Sequence, residues 1–548
     1  MEPKEERIMT DINNAENLLK QLERGQISRR EFIGKMMATG IAVGAAGSLI
    51  TQSVFAATDT IKTTETPKRG GRLVVGTPAA DINDSLDPTK FNSTTNYIIA
   101  YAVYDPLVNR GLDLQPTPWL AKSWEPNGDA TEWVFKLRED VTFHNGKGFN
   151  ADDVIYSLSR HISEKSESPA KTFLSQISEM KKEGNYSIRF KLTAPNADFP
   201  IILSDPRVQI TANGYENFLN TSPGTGPFKV KEFKAGSRYV FERNDNYWGS
   251  DGPWVNELEI IGINDTSARI NALFSGDINA LIGLDPKAVK LLDRNKNVNV
   301  IKAKSGQFVN IAMMLDRAPT NNNDLRLAMK YALDREQVVK NVYKGYGSVG
   351  NDHPISPIDP YYNNDIPQRQ FDPDKAKFYW KKAGMEGKSM DFFISDVPGA
   401  GAISSAQVFQ QSAAAADIKI NLHRPPADTY WSSVWMQKPM CTSGWDARPT
   451  PDLIFSIAFK DGAAYNETTW KNERFNQLLV EARSITDFQK RKEMYGEMQL
   501  MLHEEGGHIP LAFIDILDAA DSSIKGITPH PSGALGFYQM GRTAWIDS

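Results

Sequence analysis

A chain of 548 residues is well past the size at which one hydrophobic core keeps growing, so two or more lobes are expected. Hydrophobic content of 40% and charged content of 24% are ordinary globular values, and a net charge of −5 argues against nucleic acid or an anionic membrane as the main partner. A single cysteine, Cys441, excludes a disulfide frame or a cysteine metal cluster within the chain and reads as a small packed hydrophobe.

The N-terminus reads as a targeting segment. Residues 28–35 (SRREFIGK) form a twin-arginine pattern ahead of a weakly apolar run rich in glycine, alanine and threonine. Val54 and Ala56 supply small groups where a signal peptidase reads, so cleavage after Ala56 is expected. The glycines and hydroxyls of that run make a poor membrane-spanning helix, and no cysteine at the cleavage point could carry a lipid. The mature protein is therefore expected in the periplasm, after a signal peptide over 1–56 and a flexible lead-in over 57–71.

The first strand is expected at 73–76, followed by a loop over 85–91 and a threonine-capped helix over 94–104. Trp133, Phe135 and Leu137 alternate with polar residues, as do Ile188, Phe190 and Leu192, which predicts antiparallel strands. Between them Asn150 caps a helix with Asp152 and Asp153 in its first turn. Pro223-Gly224-Thr225-Gly226-Pro227 is a rigid turn that leads into a hairpin, with Phe228, Val230 and Phe233 going out and Tyr239 and Phe241 returning. The hairpin ends in Asn244-Asp245-Asn246 and Tyr247-Trp248.

A strand over 257–263, a helix over 265–274 stopped by Gly276 and a strand over 280–284 give a β-α-β alternation. A strand at 308–314 precedes a change of composition at 318–323. Helices are expected at 324–333, 335–344 and 372–384, the last with Pro373 at its first position. A strand-helix-strand follows at 390–394, 404–416 and 418–422. Long helices at 472–484 and 487–504 precede a tail of strand and loop.

His503 and His508 flank Glu504 in a pattern that superficially looks like a zinc-protease helix. Their spacing of five, with two glycines between them, keeps them off one helix face. The other histidines lack ligand spacing, so no metal and no cofactor is expected. No nucleophile elbow, P-loop or dinucleotide fingerprint is present, and an enzyme is not expected; a hydrolase is the competing reading from another class. The informative stretch is residues 430–452, YWSSVWMQKPMCTSGWDARPTPD. Trp431 and Trp435 are four apart, which suits the core face of a helix, while Trp445 is followed by a proline-broken loop that holds Arg448. An aromatic ring and a guanidinium on a rigid loop suit a flat or carboxylate-bearing solute.

The hairpin block at 222–248 resembles one in the extracytoplasmic solute-binding proteins of peptide, nickel and opine ABC importers. So do residues 120–124 (LAKSW), 133–146 (WVFKLREDVTFHNG), 151–156 (ADDVIY), 325–335 (LRLAMKYALDR) and 372–384 (DPDKAKFYWKKAG). The resemblance covers the whole mature chain. It implies an α/β fold of two lobes, of the large periplasmic-binding type with an extra subdomain in the first lobe. The first lobe would span 72–313, with the subdomain at about 92–215, and the second 314–515, before a return over 516–548; chain crossings map near 307–315 and 513–520. It also implies a monomeric, non-enzymatic receptor that closes on a small solute and delivers it to permease subunits.

By position in the family, Phe91, Asn92, Asn96 and Tyr97 would contact ligand, and Tyr465 would lie on the same rim. The family's peptide receptors carry an aspartate in the loop after the matching tryptophan. Here Asp446 follows Trp445 directly, and Arg448 stands where that carboxylate is expected. The arginine that holds a dipeptide's carboxylate is missing from 397–405. Reversed charge disfavours an unmodified dipeptide and points to an amino-acid-derived, opine-like or carboxylate-bearing solute held by Arg448, Trp445, Asp446 and Trp431. A general oligopeptide receptor and a nickel-chelate receptor are the alternatives.

Overall fold

The computed structural model describes residues 66–547; the twin-arginine segment, the cleavage point and most of the lead-in lie outside them. The chain has a mixed α/β fold of two lobes, each built on its own sheet. The first lobe's sheet has the order Val298–Ala303, Ile516–Asp521, Ala280–Leu281, Arg72–Thr77, Glu257–Gly262, Arg238–Arg243, Phe228–Lys234. Arg72–Thr77 pairs in parallel with both Glu257–Gly262 and Ala280–Leu281, the β-α-β arrangement expected around the helix Thr266–Ser275. Gly276 ends that helix in the left-handed region at φ 81°, where a side chain would be strained.

A second sheet of the first lobe runs Ala121–Pro126, Glu132–Leu137, Ser187–Leu192, Ile177–Lys182, all antiparallel. Phe135, Phe190 and Phe199 pack edge-on at its centre, covered by the helix Ala151–Ile162. Asn150 and Asp153 close a capping box at the start of that helix.

The second lobe's sheet has the order Gly347–Ser348, His508–Ile514, Phe308–Met313, Met440–Trp445, Ser389–Phe393, Lys419–His423. The helices Asn323–Ala332, Pro373–Lys382 and Ala402–Ala414 contribute apolar faces to its core. The sheets change at residues 304–307, upstream of the composition change seen in the sequence, and again at Asp515. Lys304 Nζ donates to Asp515 Oδ2 at 3.0 Å and Ser305 Oγ to the Ile514 carbonyl at 2.8 Å, which ties the two crossings into one hinge.

Four local expectations differ. The helix Thr94–Val103 is capped not by a threonine but by Ser93, whose hydroxyl accepts from the Asn96 amide. The helix expected at 335–344 is a short turn, Arg335–Gln337, followed by a wider π-type turn, Val338–Val342. The strand expected at 280–284 is only Ala280–Leu281. Trp431 and Trp435 do not share a helix, because Tyr430–Ser433 ends before Trp435, although their rings still meet edge-on at 5.5 Å.

The hairpin block owes its composition to one buried carboxylate. Asp105 accepts from Trp119 Nε1 at 2.7 Å, Thr225 Oγ1 at 2.8 Å, Trp248 Nε1 at 2.9 Å and the Tyr247 hydroxyl at 3.2 Å. Burial raises its pKa against the pull of these donors. The glycines of the turn answer a different demand. A Cβ on Gly224 would sit 1.7 Å from the Val103 carbonyl oxygen, and one on Gly226 2.5 Å from the Val103 carbonyl carbon. Gly224→Ala should therefore cost about 1–3 kcal/mol or more in denaturant unfolding. Gly128→Ala, with open space around it, should stay within about 0.5 kcal/mol. Equal stability of the two variants would refute this reading of the turn.

Candidate functional site

The strand Met440–Trp445 lies antiparallel to Phe308–Met313, with Trp445 opposite Phe308. That register brings the end of the strand, and the loop 446–450 after it, to the hinge. Thr450 caps the next helix, Pro451–Ala458, in which Pro451 occupies the first position. The sequence reading took these prolines only as breakers. A proline at the first helical position loses no hydrogen bond, so the loop is short and pinned at both ends.

The tryptophans are oriented by Glu467, which is buried beneath them. Its carboxylate accepts from Trp445 Nε1 at 3.1 Å, Trp435 Nε1 at 2.5 Å, Asn310 Nδ2 at 3.2 Å and the Ser443 hydroxyl. His508 Nε2 lies 2.9 Å away. Burial works against the charge, but the His508 imidazole and these donors outweigh it and hold the carboxyl at about 2. His508 thus belongs to this network rather than to a zinc motif, while His503 Nδ1 faces the Asn351 carbonyl at 2.9 Å. Among the described residues no group of three or more histidine, cysteine or acidic side chains could hold a metal.

Above Glu467 the aromatic rings form a continuous row. Tyr465 meets Trp445 at 6.4 Å and Trp435 at 5.9 Å, and Trp435 meets Trp431. Trp431 and Tyr465 remain 47% and 53% exposed, so the row has one face open to solvent. At the hinge end the Arg448 guanidinium lies 5.9 Å from the Trp445 ring. No carboxylate lies within ion-pair distance of Arg448 among the described residues, and its buried Nε has no hydrogen-bond partner. Burial lowers its pKa, with Asp446 opposing from a distance.

The first lobe faces this loop. Tyr97 lies within electrostatic reach of both Asp446 and Arg448, and its ring packs on Tyr538 at 5.5 Å. Asn96 is buried with its amide nitrogen unpartnered, while its side-chain oxygen accepts from the Asn92 backbone at 3.3 Å. Asn92 itself is exposed. Phe91 is not at the junction: it is fully buried in the first lobe's core, tilted against Tyr104 at 6.3 Å. The structure thus places Asp446 and Arg448 on one cavity, with Tyr97 within electrostatic reach of both but not on its lining. Trp445, Tyr465 and Trp431 extend away as the aromatic row.

A cavity of about 30 Å³ lies between the lobes here, lined by Arg110, Gly306, Asp359, Asp446, Arg448 and Ser532 among others. A second cavity, of about 170 Å³, shares Leu114, Asp359, Pro449 and Thr450 with the first and adds Asp198 and Arg491. Arg110, Asp359 and Glu467 were not singled out in the sequence. Arg110 donates to Ser204 Oγ at 3.0 Å and has no ion pair among the described residues; burial lowers its pKa. Asp359 accepts from the Tyr361 backbone at 2.8 Å, and burial raises it to about 7. Glu467 stands two residues after Tyr465, but nothing in the linear order reveals its burial.

Glu467 has a testable signature. Its folded pKa lies below the unfolded value of about 4.3, so its stabilisation is present above that value and is lost as pH falls through about 2. Glu467→Gln should destabilise the protein at neutral pH by about 3–5 kcal/mol, since it leaves His508 and the donors imperfectly paired. The melting-temperature gap to wild type should narrow between about pH 5 and 2. A gap that stayed constant across that window would exclude the role given to Glu467.

The family model for bacterial extracellular solute-binding proteins, family 5 Middle, matches residues 115–467. The dipeptide-binding protein of Escherichia coli is 25% identical over 502 residues, covering 83% of this chain and 92% of that protein. HbpA2 from Haemophilus parasuis superposes with a TM-score of 0.77 at 22% identity, covering 87% of this chain and all of the other. AgaA from A. tumefaciens R10, solved with agropinic acid, gives a TM-score of 0.70 at 21% identity, covering 87% and 99%.

Proposed function

Because the chain belongs to the family 5 bacterial extracellular solute-binding proteins, non-enzymatic receptors of ABC importers, we propose that it captures an amino-acid-derived, carboxylate-bearing solute between its lobes. Arg448 carries the reading. A half-buried guanidinium, with its Nε buried and unbonded and no described carboxylate close enough for an ion pair, is a costly arrangement that an anionic guest would relieve. Arg110, on the facing wall of the same cavity, adds a second positive charge. Trp445, Tyr465 and Trp431 offer faces to a planar or apolar part of the guest. Opine-like solutes fit this combination, in keeping with the agropinic-acid complex of the related fold.

The smaller cavity has room for little more than a water, so a solute enters as the lobes part and is trapped as they close. Closure is then a shift of population toward the state with more contacts to the guest, and no bond is made or broken. The closed form is presented to permease subunits in the cytoplasmic membrane. Export by the twin-arginine route, with removal of residues 1–56, completes the proposal; no described helix is long and apolar enough to cross a membrane.

One observation favours a second reading, an oligopeptide receptor. The larger cavity continues past Asp359, a carboxylate without a cationic partner among the described residues, where a peptide's amine could be received. Neither cavity is lined by histidine, which speaks against a nickel chelate.

A thermal-shift panel of opines, simple carboxylates and short peptides separates the readings, since a ligand held at a hundred times its Kd stabilises by about 2.7 kcal/mol. Opines or carboxylates should raise the melting temperature and unmodified dipeptides should not. Arg448→Ala should weaken the best ligand by about 2–5 kcal/mol in calorimetry. An unchanged Kd in that variant would remove Arg448 from the site.

A further inference from the structure

Away from the hinge, the lobes are joined by hydrogen bonds at one place among the described residues. Ala197 and Asp198 reach from the first lobe's four-stranded subdomain to the second lobe's helices. Arg491 Nη2 donates to Asp198 Oδ1 at 2.5 Å, with the two side chains only 6% and 7% exposed. Beside this pair the Ala197 amide donates to the Arg483 carbonyl at 2.8 Å. None of these residues lines the Arg448 cavity, although Ala197, Asp198 and Arg491 border the larger cavity beside it.

Both halves of the contact are prearranged. Arg491 is fixed within the second lobe, since it also donates to the hydroxyls of Tyr361 at 3.0 Å and Tyr495 at 3.1 Å and lies over both rings. Arg483 is anchored through Asp452, to which its Nε donates at 2.8 Å. On the other side the Asp198 amide donates to Asn196 Oδ1 at 2.8 Å, which sets the turn before the short helix Phe199–Ile202. Two rigid, complementary pieces with one charge each meet only when the lobes are together.

We propose that Asp198 and Arg491 form a clasp that biases the lobes toward closure before a solute completes it, making them positioning residues for capture of a guest at Arg448 rather than contacts of that guest. A buried ion pair comes close to balancing its own desolvation, so such a clasp fixes the register of closure and still releases. Removing one partner is different, because closure would then bury the remaining charge unpaired. The apparent affinity scales with the closed-competent fraction, so the clasp tunes affinity for a guest at Arg448 without touching it. This rests on the reading of two lobes that close on a guest at Arg448, whatever that guest's chemistry.

The test needs no ligand. Small-angle scattering of the solute-free mature protein should show a compact particle. Asp198→Asn should give a larger radius of gyration and maximum dimension, and Asp198→Glu, which keeps the charge, should return most of the compactness. Native-state hydrogen exchange on the wild type supplies a measurement independent of any variant. The Ala197 amide should be protected in the solute-free protein, and in Asp198→Asn its exchange should quicken at least tenfold while the sheet cores stay unchanged. Identical scattering of wild type and Asp198→Asn, or an unprotected Ala197 amide in the wild type, would overturn the clasp. Failure of the carboxylate panel alone would leave these results untouched, so the two proposals fail separately.

Discussion

A charge taken out of water must be met by donors or by an opposite charge, and the account of this molecule follows from where that rule is obeyed and where it is not. Asp105 in the first lobe and Glu467 in the second are buried carboxylates surrounded by donors from distant parts of the chain. Each one orients tryptophans: Trp119 and Trp248 around Asp105, Trp435 and Trp445 around Glu467. Both are scaffold. Arg448 lies just beyond the second network, half-buried, with its Nε unbonded and no described carboxylate at ion-pair distance. That contrast is what the proposal of a binding role for Arg448 rests on.

The same contrast explains what could be read from the sequence. Local signals carried well: Asn150 as a cap, Gly276 as a stop, Pro373 as a first helical residue and the turn at 223–227 are all decided by backbone chemistry within a few residues. The Phe228–Lys234 and Arg238–Arg243 hairpin was legible for the same reason. Pro451 misled because a proline can start a helix as readily as break one, and the linear order does not say which. Nor did the spacing of Trp431 and Trp435 reveal that the helix stops between them.

The candidate site was legible in part, through the loop chemistry and the family resemblance, which together singled out Arg448, Trp445, Asp446 and Tyr97. Phe91 shows the limit of placing a residue by position alone, since its ring points into the core beside Tyr104. Arg110, Asp359 and Glu467 went unnoticed because what distinguishes them is burial without, or with, partners far away in sequence. Glu467 faces Asn310 across 157 residues of chain, a relation no window of sequence can show.

Short crossings at 304–307 and Asp515, tied by Lys304, are the kind of connection about which two lobes can hinge. Under the proposed function, an anionic guest would supply the counter-charge at the junction. Native mass spectrometry on wild-type protein and Arg448→Ala, both recovered from the periplasm without denaturation, tests this most directly. The account predicts a small acidic adduct on the wild type that the variant has lost. An adduct without an acidic group, or one carried equally by both proteins, would contradict it.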